Sequence, residues 1–131
     1  FNVRGYSRNL RKEVTKTSRY YFLDNGVLNA VINNFNPISM RGDSGALWEN
    51  FIFMERMKYR AYTDLHANIY FWRTYDRQEI DLVEEQNGQL LGAEFKYSPR
   101  KTPKKPKAWE KAYPDAAYQV VNRDNWLEFV T

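Results

Sequence analysis

Two residues, Asn87-Gly88, do more than any others to dictate local geometry. They sit between two apolar-rich runs, residues 79–85 and 90–97, and Asn-Gly is the pair best suited to a two-residue type I′ turn, in which both central residues take positive φ. With these two in the loop, Gln86 faces Gln89 and the numbers of paired residues sum to 175. Asp81 then stands opposite Glu94, and Glu79 opposite Lys96. Side chains alternate along a strand, so these four share one face, while Ile80, Leu82, Leu91, Ala93 and Phe95 take the other. Opposed side chains start about 5 Å apart at Cβ. Two carboxylates about 4 Å apart repel by about 4 kcal/mol at an effective dielectric near 20. Such a pair persists if it is solvated, shares a proton or binds a cation, and oxygen ligands suit Mg²⁺ or Mn²⁺. A hairpin with one face in water presents the same pattern, so the solvated reading stands beside the metal reading.

The rest of the chain supplies the frame. Residues 68–73 are aromatic and β-branched and read as a strand, and 117–121 as a further one; 126–130 is expected to be a fifth. Apolar spacing predicts a helix from Asp43 or Ser44 to about Arg60, with Glu49 inside an otherwise apolar turn. Shorter helices are expected over 27–35 and 107–113, and a basic helix over 8–19. Asn36-Pro37 breaks the first of these, and the proline-punctuated run 98–106 is a loop. One domain of mixed α/β (α+β) class accounts for all 131 residues.

Charge is uneven. Residues 1–19 carry +5 and residues 96–111 carry +6, so a net charge of +4 leaves −7 for the remainder. Basic arms on an acidic body suit phosphate backbones, acidic surfaces or neighbouring domains, or simply face solvent. Arg100, Lys101, Lys104, Lys105 and Lys107 are the candidates for nucleic-acid contact. The absence of cysteine excludes disulfides, zinc–thiolate centres and a Cys nucleophile, and suits a reducing, cytoplasmic setting. No apolar run is long enough to span a membrane. The chain opens on Phe1, as a piece of a longer protein would. His66, the single histidine, is expected at the surface. Trp48, Trp72 and Trp109 are expected in the core rather than stacked on bases. Glu79 reads as a supporting ion-pair residue, Gln119 as a solvent-facing strand residue, and Glu49 as either a site residue or a partner for Arg56 or Arg73.

The order of helix with interior Glu49, strand with Asp81, strand with Glu94-Phe95-Lys96, helix and strand resembles the PD-(D/E)xK nuclease superfamily, of restriction-endonuclease-like fold, with Ile80 where the named motif has Pro. A longer resemblance rests on Arg19-Tyr20-Tyr21-Phe22-Leu23-Asp24-Asn25-Gly26, Gly45-Ala46-Leu47-Trp48-Glu49-Asn50-Phe51, Tyr70-Phe71-Trp72-Arg73, Glu79-Ile80-Asp81, Glu94-Phe95-Lys96 and the basic segment 98–107. These are similar to the C-terminal domain of unknown function of bacterial and archaeal AAA-type ATPases. The resemblance implies a helix–three-stranded meander–helix–strand core over 20–131, with 1–19 as a basic connection from an ATPase domain. No G-x-x-x-x-G-K-[ST] occurs, so no ATP site is expected on this chain. It further implies catalytic roles for Asp81, Glu94, Lys96 and Glu49, with Asp81 and Glu94 as ligands of Mg²⁺ or Mn²⁺. The implied partners are the ATPase domain and DNA or RNA, with self-association left open. The alternative is a catalytically inactive module that binds nucleic acid or protein and is coupled to the ATPase.

Overall fold

The computed structural model describes residues 1–8 and 11–131. At its centre is the Asn87-Gly88 turn, with φ of 52° and 77°. It joins β4 (Glu79–Gln86) to β5 (Gln89–Phe95), paired as Gln86↔Gln89 through Leu82↔Ala93, in the expected register. β3 (Asn68–Arg73) lies antiparallel on the other side of β4 and completes a meander. β6 (Ala117–Val121) runs parallel to β5, reached through the short helix α3 (Lys107–Ala112).

Two strands extend this sheet beyond what the sequence pattern suggested. Residues 8–19 form no helix over their described part, and residues 9–10 lie outside the described residues. Instead β1 (Asn2–Gly5) pairs parallel to β3, and β2 (Ser18–Tyr20) pairs antiparallel to β1 as the edge. The six strands lie in the order β2-β1-β3-β4-β5-β6. The override has a visible cause. Glu13 is buried and accepts hydrogen bonds from Tyr113 Oη (2.6 Å), Arg8 N (3.0 Å) and the Trp72 indole, while Val14 N donates to Arg73 O. A helix would withdraw those backbone groups from the sheet, so tertiary pairing prevails over local propensity.

The expected fifth strand over 126–130 is a helix, α4 (Trp126–Val130). Asn122 O accepts from both Asn125 N and Trp126 N, which turns the chain back as β6 ends. Phe129 then enters the core, and Arg56 Nη1 donates to its carbonyl at 2.6 Å. The short helix α1 (Asn25–Ile32) is capped by Asp24, whose carboxylate accepts from Val27 N at 2.8 Å. The long helix α2 (Ser44–Tyr62) has Asp43 at its N-cap position, but that carboxylate is held by Arg41 and caps nothing.

The sheet is buried on both faces. On one, Ile52, Phe53 and Met54 of α2 and Phe129 of α4 meet Val3, Phe71, Leu82, Ala93, Phe95 and Val121. On the other, Trp109 and Tyr113 meet Tyr6, Trp72, Ile80, Val83 and Leu90. Trp48, Trp72 and Trp109 are all buried, as expected. Ile80 departs from expectation by falling on the face opposite Leu82. Tyr70 pairs with Val83 but Trp72 with Ile80, so two residues of β4, Asp81 and Leu82, stand against Phe71 alone. This bulge breaks the alternation and re-aims Asp81. Among the described residues no helix is long and apolar enough to cross a membrane.

Candidate functional site

The bulge decides where the acidic residues meet. Regular pairing of β4 with β5 stops at Leu82↔Ala93, so Asp81 and Glu94 are not the cross-strand pair that strict register implies. Instead the Asp81 side chain takes over one bond of the ladder, its Oδ2 accepting from Phe95 N at 2.8 Å. Lys96 N in turn donates to Val121 O of β6. Backbone bonds on both sides thus hold the Glu94-Phe95-Lys96 segment, and its side chains are placed by rigid elements.

Asp81, Glu94, Lys96, Glu49 and Glu79 all line one cavity of about 440 Å³, with the start of α2 and Lys101 at its rim. Within it Lys96 Nζ lies 3.0 Å from Glu94 Oε1. The expected Glu79–Lys96 pair does not form; the bulge and the end of regular pairing separate the two, and each carboxylate takes a different cation. Burial first, and then the Asp81 carboxylate, push the Glu94 carboxyl up to about 7. Its second oxygen, Oε2, is buried and faces no hydrogen-bond donor. Glu49 is raised from the ordinary carboxylate range by the same two causes. A buried carboxyl beside a carboxylate is relieved by one shared proton or one bound cation.

Arg19 is the residue that sequence reasoning missed, having been assigned to a connecting arm. From β2, its Nη1 lies 3.0 Å from Asp81 Oδ1 and 3.3 Å from Glu49 Oε1, and its Nη2 lies 3.0 Å from Glu79 Oε2. The guanidinium also lies over the Phe71 ring at 4.8 Å. Burial alone would lower its pKa, but the facing carboxylates outweigh that and raise it. Tyr21 Oη donates to Glu49 Oε1 at 2.7 Å, and Asn50 of α2 clamps the Phe22 backbone through both its N–H and its carbonyl. Glu49 therefore answers to Arg19 and Tyr21, whereas Arg56 pairs with Glu84. The sequence signal was present in Arg19-Tyr20-Tyr21, but a strand pairing through β1 is not visible in spacing alone.

The other candidates are elsewhere. Arg100, Lys101 and Lys104 are exposed, and Lys105 half-buried, on the loop between β5 and α3, and Lys107, also exposed, opens α3. Of these, only Lys101 reaches the acidic cavity. Gln119 is exposed on β6 beside Arg56 and Glu128. His66 is exposed and sits 2.8 Å from Asp64.

Among the described residues, no group of three or more metal-ligating side chains is placed to hold an ion. Asp81 and Glu94 remain as a pair. Mg²⁺ is ordinarily held by one or two carboxylates, with waters and substrate phosphates completing the shell. The pair, with its donor-free Glu94 oxygen, fits a site of that kind and not a protein-only cage.

Residues 44–130, well over half the chain, match the family described as DUF4143, a domain of unknown function, and the chain belongs to that family. The family is known as a C-terminal domain of AAA-type ATPases. No curated protein and no solved structure matches the chain.

Proposed function

We propose that this chain is the C-terminal domain of an AAA-type ATPase and carries a nuclease-like centre for Mg²⁺- or Mn²⁺-dependent hydrolysis of phosphodiester bonds in nucleic acid. One observation carries the reading: Asp81, Glu94 and Lys96 converge on a single cavity overlooked by Glu49. The element order α2, β3-β4-β5, α3, β6 supports it, being the order of the PD-(D/E)xK core.

In this reading Asp81 and Glu94 would hold the ion, which when bound would supply a positive charge beside the scissile phosphate and a more acidic water. Lys96, kept charged by Glu94 although burial opposes it, faces the negative charge that develops as the new O–P bond forms and the bond to the leaving oxygen breaks. Lys101 at the rim, with Arg100, Lys104 and Lys107 beyond it, would receive the flanking phosphates. Cleavage of plasmid DNA, single-stranded DNA and RNA with Mg²⁺ tests this. The parent should yield product, and Asp81→Asn and Lys96→Met should each lose at least about 100-fold, the scale on which one transition-state contact acts. No product from a folded parent, or equal product from Asp81→Asn, would sink it.

One observation favours the second reading, an inactive binding module coupled to the ATPase: the Arg19 guanidinium already lies against Asp81, Glu49 and Glu79. That reading predicts salt-sensitive binding of nucleic acid without turnover, retained in Asp81→Ala.

A further inference from the structure

We infer that Arg19 is a built-in competitor for the divalent ion at Asp81, so that ion binding and the Arg19–Asp81 pair exclude one another. The inference rests on the metal-centre reading above and goes beyond it by assigning a role to β2.

The geometry is restrictive. Both Asp81 oxygens are engaged, Oδ2 by Phe95 N at 2.8 Å and Oδ1 by Arg19 Nη1 at 3.0 Å. The Phe95 bond belongs to the sheet and takes one lone pair of Oδ2, so the oxygen most readily freed for an ion is Oδ1, which Arg19 holds. A Mg²⁺ ligand distance is about 2.1 Å, so an ion on Oδ1 could be no further than about 5 Å from that guanidinium nitrogen. Two cations at that range in a half-buried cavity repel strongly.

Charge points the same way. Glu49, Glu79, Asp81 and Glu94 face Arg19 and Lys96, with Lys101 also lining the cavity, which leaves the ionised cluster one negative charge in excess. Glu94 Oε2 stays without a donor because Lys96 holds Oε1 and Arg19 reaches only the other three carboxylates. The guanidinium thus bridges three members of the cluster with one charge, while Glu94 is paired with Lys96 through Oε1 and keeps Oε2 without a donor. When Arg19 swings away from Asp81, Glu49 and Glu79 can still receive it, so release does not strand the charge. Its own strand is short and at the sheet edge, with one neighbour only, and is therefore the element of the sheet freest to yield.

If the pair is closed in roughly nine-tenths of molecules, the apparent dissociation constant of the ion is about tenfold above its intrinsic value. Titration of Mn²⁺ by calorimetry and by electron paramagnetic resonance, into parent, Arg19→Met, Arg19→Lys and Arg19→Met/Asp81→Asn proteins, tests this, with near-ultraviolet circular dichroism to check folding. Arg19→Met should bind Mn²⁺ at least about tenfold more tightly than the parent. Arg19→Lys, which keeps the charge but reaches fewer partners, should fall between the two, and it serves alone if Arg19→Met does not fold. The gain should vanish in the double variant. Equal or weaker binding by Arg19→Met overturns the inference. The metal reading nevertheless survives that result if the parent's own binding is lost in Asp81→Asn. Absence of binding in every folded protein overturns both.

Discussion

Replacing Glu94 by Gln should flatten much of the pH dependence of folding stability between pH 4.5 and 7.5. In the folded domain the Glu94 carboxyl is held up to about 7, by burial and then by Asp81, against an ordinary value of 4.5. Across that window the folded protein keeps a proton that the unfolded chain has released. Stability is therefore highest near pH 4.5 and falls as pH rises towards 7. At 1.36 kcal/mol per pH unit the ceiling on this effect is about 3 kcal/mol. The value of about 7 already includes the lowering by Lys96, and about 1–3 kcal/mol is expected. Glu49 contributes in the same direction, so some slope survives the substitution. Asp43 and Asp76, both lowered, act only at more acid pH and are excluded by starting at 4.5. Urea unfolding at four pH values measures this directly. Parent and Glu94→Gln should be close in stability at pH 4.5, with the variant more stable at pH 7.5. Parallel curves for the two proteins would refute the account of Glu94 as a carboxyl pressed against Asp81.

Two further outcomes follow from other parts of the fold. Arg56→Leu should cost about 3–5 kcal/mol in urea unfolding, because it strands a buried Glu84 whose two oxygens Arg56 holds at 2.6 and 3.0 Å; the double variant with Glu84→Leu should recover most of the loss. If the 100–107 loop contacts phosphates, replacing Lys101, Lys104 and Lys107 by Ala should weaken nucleic-acid binding alike across sequences, and should reduce the slope of log K against log salt by about 2–3. An unchanged slope would remove the loop from the interface.

How far residues reveal this architecture depends on the range of the forces involved. The Asn87-Gly88 turn is local, so the register Gln86↔Gln89 to Leu82↔Ala93 was readable, and so was the α2 spacing that buries Trp48 and Ile52. The bulge at Asp81-Leu82 was not, since it arises from how β3 meets β4 and leaves no turn residue behind. It alone accounts for Ile80 changing face and for Asp81 bonding Phe95 N. The basic residues of 8–19 suggest a helix and residues 2–5 carry no strand periodicity; what recruits both to the sheet is Glu13, through Trp72 and Tyr113 far along the chain. Residues 126–130, apolar but for Glu128, read as a strand, yet coil because Arg56 and the core beneath take up Phe129. The hairpin register and one short motif single out Asp81, Glu94 and Lys96, which line one cavity, while their charge partner Arg19 can be placed only through the sheet.

The family pattern starts at Ser44, but the sheet does not. A fragment trimmed to the matched span would keep all the acidic residues of the cavity and lose β1, β2, Tyr6 and Tyr21. Its β3, with the sequence Asn-Ile-Tyr-Phe-Trp-Arg, would then present a bare row of N–H and C=O groups on an aromatic strand. Such an edge invites pairing with another chain. The first twenty residues thus act as a seam binding along the sheet, and the boundary of the folding unit lies well ahead of the boundary of sequence likeness.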